Sequence, residues 1–168
     1  MRRALAAALC LSALALPAGA RAGKPSPAPP ATPAPATALL ARDFRVVPTL
    51  ADLPESVRRA LAAYLSNAPV ADPGQPWDAT KKASKPPRAA HRLRLAGYTD
   101  GAAFVAYEHG GKRRHDHLAL MGVDDEGVLA VTYACRLEAP GKLDLPRLRA
   151  LAKTGCEAVV VGERGETD

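Results

Sequence analysis

The sequence predicts an α+β domain: a mainly antiparallel meander of four to five strands, two helices packed on one face, and one disulfide. Three observations carry this expectation. From His91 onward the apolar residues recur with a period of two, and the runs are separated by turn residues. Two Asp-Leu-Pro leads, Asp52-Leu53-Pro54 and Asp144-Leu145-Pro146, each open a stretch with apolar residues at helical spacing. Two cysteines, Cys135 and Cys156, lie beyond an export signal that carries away the third.

The signal occupies residues 1–22. Arg2 and Arg3 form a basic start, Leu5 to Leu16 an apolar run of 12 residues, and Ala18-Gly19-Ala20 and Ala20-Arg21-Ala22 two overlapping small-x-small cleavage sites. A run of that length is a secretory signal rather than a membrane span. The residue before Cys10 is Leu9, where lipid attachment requires a small residue, so general export is expected, with cleavage near Ala20 or Ala22. The mature protein is expected to be periplasmic or extracellular, with no transmembrane segment. Residues 23–37 (GKPSPAPPATPAPAT) offer no large apolar side chain and many prolines, and are read as a disordered, semi-stiff tether.

Residues 38–168 are expected to form a single globular domain. The whole chain carries a net charge of +6, but from Ala38 onward 19 Lys+Arg face 17 Asp+Glu, so the domain itself is nearly balanced. General attraction to polyanions is therefore weak, and local charge matters more. Leu39 to Leu50 suits a short strand or a helical turn ended by Pro48. Asp52 is expected to cap the first helix with Glu55 as its capping-box partner. Leu53, Val57, Leu61, Tyr64 and Leu65 then share one helix face, and Asn67 and Pro69 stop it. Ala68 to Ala90 is a long loop with five prolines that carries the sole tryptophan, Trp77, read first as a cap over the core and second as an anchor for a partner.

His91–Tyr98, Ala103–His109, His115–Val123 and Val128–Leu137 read as strands, joined by Asp100-Gly101, Gly110-Gly111 and Asp124-Asp125-Glu126-Gly127. Connections this short imply antiparallel neighbours. Leu145, Leu148, Leu151 and Ala152 give the second helix its apolar face, Gly155 is its expected C-cap, and the valine-rich segment from Cys156 to Gly162 is a last strand. A Cys135–Cys156 disulfide would pin the helix-to-strand turn to the sheet, closing a loop of about 20 residues and contributing around 3 kcal/mol.

Two constellations carry chemistry. Across a five-residue loop, His109 would face His115 and Tyr107 would face His117, which puts three imidazoles on one side and Glu108 and Asp116 on the other. Phe104, Ala106, Leu118 and Leu120 accompany the carboxylates, so that side is the expected core and the histidines take the wetter face. Convergent imidazoles on paired strands suit zinc or copper. The second constellation is basic: the stretch from Lys81 to His115 has a net charge of +7, and Arg92, Arg94, Lys112, Arg113 and Arg114 are expected to project from the non-core face. With Trp77 they could contact an anionic envelope component or a protein partner. Nucleic acid is disfavoured, since the chain is exported and its strands lack a row of exposed aromatics.

No Gly-x-Ser-x-Gly, His-Glu-x-x-His or phosphate-binding glycine loop occurs, so the chain reads as a binding module before an enzyme. The leading expectation is a small exported binding or inhibitor-like module that uses a basic, histidine-bearing sheet face. The alternatives are a metal-binding or hydrolytic protein built on His109, His115 and His117, and a structural envelope protein without a small-molecule site.

Overall fold

A computed structural model describes residues 34–80, 84–111, 114–123, 126–137, 141–154 and 157–159. Helix α1 (Ala34–Leu40) leads into strand β1 (Arg45–Val47), a 3-10 turn (Leu50–Asp52) and helix α2 (Glu55–Tyr64). Strands β2 (Val70–Ala71), β3 (His91–Thr99), β4 (Ala102–His109), β5 (His115–Val123) and β6 (Leu129–Leu137) follow, then helix α3 (Leu145–Lys153) and strand β7 (Glu157–Val159). The architecture is α+β, as expected. One sheet runs β1-β3-β4-β5-β6-β7, with β2 pairing in parallel beside the start of β3 and every other pair antiparallel.

The helices do not share one face. Val57 and Leu61 of α2 pack with Leu93, Ala96, Val105, Tyr107, Ala119 and Met121 on the histidine side of the sheet. On the other side, Ala36 and Leu40 of α1 and Leu148 and Ala152 of α3 pack with Phe104, Ala106, Leu118, Leu120 and Cys135. The correction has a physical reason: β4 and β5 are apolar on both faces, so each face requires a cover. The histidine side is therefore a second core and not a wetter face.

Helix α1 begins inside the stretch expected to be a tether. Ala36 and Leu40 are both 2 % exposed, and Arg149 of α3 caps the end of this helix from the far side of the chain. Its Nε donates to the Leu40 carbonyl at 2.9 Å and its Nη2 to the Arg42 carbonyl at 2.7 Å, satisfying carbonyls that a helix terminus leaves open.

The two Asp-Leu-Pro leads behave differently. Asp144 is the N-cap of α3, accepting from the Arg147 amide at 2.9 Å. Asp52 does not cap α2; Pro54 holds that position, and the Asp52 carboxylate accepts from the Thr49 hydroxyl at 2.6 Å. The signal segment and the rest of the tether, Gly155, Cys156, and the chain beyond Val159 lie outside the described residues. No helix among the described residues is long and apolar enough to cross a membrane.

Candidate metal centre

Strand alternation and the β4–β5 register build the site. His109 pairs with His115, Tyr107 with His117 and Glu108 with Asp116, the pairing that a five-residue loop predicts. Paired residues project to the same side, so the imidazoles lie on the side of the sheet that packs against α2 and the carboxylates on the side that packs against α1 and α3. Ring centroids lie 5.4 Å apart for His109 and His115, 4.6 Å for His115 and His117, and 6.1 Å for His109 and His117. One ligand atom from each of the three lies within 4.8 Å of the others. Around an ion with metal–nitrogen bonds near 2.0–2.1 Å, tetrahedral nitrogens stand about 3.3 Å apart, so side-chain rotations of roughly 1 Å would bring all three imidazoles within reach of one ion and leave a fourth position for water. His117 is 3 % exposed, with its ring stacked on Tyr107 at 5.3 Å and 9°, while His109 and His115 open partly to solvent at the hairpin end.

No match was found among protein-family models, curated proteins or solved structures.

A fourth histidine, His91, joins the row, and sequence reasoning missed it. It pairs with His109 across β3 and β4, with rings 4.9 Å apart, and meets the edge of Tyr107 at 5.4 Å. A two-residue turn after Thr99 would have set Arg92 opposite His109. A β-bulge between Leu93 and Leu95 moves the register by one residue, so Leu95 pairs with Ala106 while Leu93 pairs with Tyr107. The bulge brings His91 onto the histidine side and sends Arg92 and Arg94 to the opposite side.

The expected basic, histidine-bearing face is therefore split between the two sides of the sheet. Glu108, whose side chain is 3 % exposed, receives Arg92 Nη2 at 2.5 Å and also pairs with Arg114 Nε. Arg94 Nη1 lies 3.1 Å from Asp116 and 4.0 Å from Glu108, and its Nη2 donates to the Gly141 carbonyl. Burial raises the Asp116 pKa above its ordinary value, and Arg94 opposes that shift. Trp77 lies under the guanidinium groups of Arg92, at 4.8 Å, and Arg114, at 5.8 Å, a cation–π arrangement. The arginines thus direct their charge to two carboxylates and an indole. Lys112 and Arg113 lie outside the described residues.

The long loop that carries Trp77 docks on the same hairpin. The Gly110 amide donates to the Ala90 carbonyl at 2.9 Å and the Gly111 amide to the Ala79 carbonyl at 3.3 Å. Within the loop, the Asp78 carboxylate accepts from the backbone amide and hydroxyl of Ser84 at 3.2 and 3.1 Å, which holds its pKa below the ordinary value. A Cβ at Gly110 would overlap the Asp78 carbonyl oxygen, and that atom is backbone and cannot swing aside. Gly110→Ala is therefore expected to lift the loop, seen as faster proteolytic nicking between residues 72 and 90. Nicking at the wild-type rate would show that the contact is dispensable.

An open cleft of about 650 Å³ lies at the other end of the strands, lined by Asp43, Arg45, Ser56, Tyr98 and Asp100. No histidine reaches it.

Proposed function

We propose that this chain is a small exported metal-binding module in which His109, His115 and His117 hold one transition-metal ion, zinc or copper. The observation that supports this reading best is the approach of three imidazole ligand atoms to within 4.8 Å of one another on a single hairpin. Neutral imidazole is a good ligand for both metals, and paired strands hold it with little conformational freedom left to lose. Export rests on the layout of residues 1–22. The competing use of this region, capture of an anionic envelope component or protein partner by Arg92, Arg94 and Arg114, is weakened by their engagement with Glu108 and Asp116.

Protein recovered from the export compartment without chelator should contain one equivalent of metal by elemental analysis. Replacing all three histidines should remove it. Wild-type protein that carries no metal and takes up neither zinc nor copper from solution would end this reading.

The Cys135–Cys156 disulfide remains part of the proposal. What supports it is the export reading, since an oxidising compartment favours pairing, together with the burial of Cys135 in β6 and its pairing with Ala158, which brings the strand that follows Cys156 alongside. Denatured, unreduced mature protein should give no reaction with a thiol reagent; two reactive thiols would refute the bridge.

A further inference from the structure

We propose that Tyr107 is the positioning residue of this centre: its ring fixes the His117 imidazole in the orientation that meets an ion. The inference rests on the metal-binding reading above and assigns a role to a side chain outside the donor set. Register puts Tyr107 directly opposite His117 on β4 and β5, and the two rings stack at 5.3 Å with 9° between their planes. Tyr107 also meets the His91 ring edge-on, at 5.4 Å and 74°. It is 3 % exposed and belongs to the core cluster that includes Val57, Leu61 and Leu93, so close-packed neighbours hold it in turn.

Two physical effects make the stack matter to an ion. The first is orientation. Of the three proposed ligands His117 is the buried one, while His109 and His115 open partly to solvent. A ring laid flat against Tyr107 must displace that side chain in order to turn. Much of its rotational freedom is therefore lost on folding and is not lost again when an ion binds. The second effect is charge. An imidazole that has given a lone pair to a cation is electron-poor, and the negative face of a phenol ring attracts it more strongly than it attracts the free imidazole. The stack therefore favours the metal-bound form. Both effects reside in the aromatic face and neither needs the hydroxyl, so phenylalanine should serve at this position and an aliphatic side chain should not.

The test compares the metal affinities of chelator-treated wild type, Tyr107→Phe, Tyr107→Leu and Val105→Ala. Zn(II), or copper if zinc is not taken up, is competed against a chromophoric chelator, and a thermal melt of each metal-free protein reports its fold. Val105 is the control for packing: it is fully buried on the same face of β4, but its register partners are Ala96 and Ala119. Tyr107→Leu should bind at least about 10-fold more weakly than wild type. Tyr107→Phe should bind like wild type, and Val105→Ala should lose stability without losing affinity. With Co(II) as the probe, the visible absorption bands should shift in Tyr107→Leu alone. Wild-type affinity in Tyr107→Leu, or equal weakening in Tyr107→Phe or in Val105→Ala, would overturn the role of Tyr107 and leave the metal-binding reading standing. If Tyr107→Leu does not fold, the wild type decides. Its Tyr107 ring-proton resonances, assigned by their absence from Tyr107→Phe, should shift on saturation with metal, and unmoved resonances would overturn the role. Wild-type protein that takes up neither zinc nor copper would overturn both readings.

Discussion

Changing His115 to Ala is expected to lower metal affinity at least about 100-fold while leaving the metal-free protein folded. The two effects separate because of where His115 sits. Its ring lies 4.6 Å from that of His117 and would supply one of the three proposed ligands, yet it is partly exposed at the first position of β5, where truncation leaves no sealed cavity. Loss of even an outer-shell partner costs roughly 10–100-fold in metal affinity, and loss of a ligand costs more. His91→Ala is a useful contrast: His91 touches His109 and Tyr107 but lies outside the three-ligand group, so its loss should cost about 10-fold. Competition titration measures the affinities, and a circular dichroism melt of the metal-free proteins measures the fold. Because each ligand must be deprotonated to bind, wild-type affinity should also fall as the solution is acidified. His115→Ala protein that binds metal like the wild type would remove His115 from the centre.

The largest expected loss of stability comes from Glu108→Ala, at about 3–5 kcal/mol. Glu108 is 3 % exposed and is the carboxylate shared by Arg92 and Arg114, with Arg94 at 4.0 Å. Removing it leaves partly buried guanidinium groups without their counter-charge, and a lost partner costs more than the intact pair contributed. The Arg94 side chain, 16 % exposed, is the least able to turn to water, while that of Arg114 is 56 % exposed. Arg114→Ala should therefore cost less than about 1 kcal/mol. Urea unfolding of both variants decides the matter. Equal, small losses would mean that the arginines re-solvate and that the network is held no more firmly than a surface ion pair.

Much of the hairpin at the centre was legible from local chemistry. Gly110-Gly111 marks a turn, and alternation on either side places His109 and His115 in one row, Tyr107 and His117 in the next, and Glu108 and Asp116 on the reverse side. The apolar faces of α2 and α3 were equally readable from their spacing, and Asp144 caps as its sequence suggests. A further signal lies in the middle strands. Ala102 to Tyr107 and Leu118 to Met121 are nearly continuous apolar runs, the mark of strands covered on both faces, and they point to helices on both sides of the sheet.

Other features depend on contacts far apart in the chain. Helix α1 lies in a Pro/Ala-rich segment with little intrinsic reason to fold; it is ordered by burial of Ala36 and Leu40 and by Arg149 at its C-terminal carbonyls. Asp52 and Asp144 share the same local lead, yet Asp52 bonds Thr49 and leaves the cap to Pro54.

The β3 bulge has the widest consequences. Sequence alternation shows which residues of β3 share a face, but it does not locate the one inserted residue that reverses the assignment. In a structure with a period of two, a single insertion moves every residue beyond it to the other side. Here it places Arg92 and Arg94 against Glu108 and Asp116, and it carries His91 to the imidazoles. The paired strands and the three candidate ligands are legible in one dimension, because turn chemistry and alternation act locally. The separation of the basic side chains from the histidines was decided by the tertiary structure, because the register between two strands is set by how both faces of the whole sheet are filled.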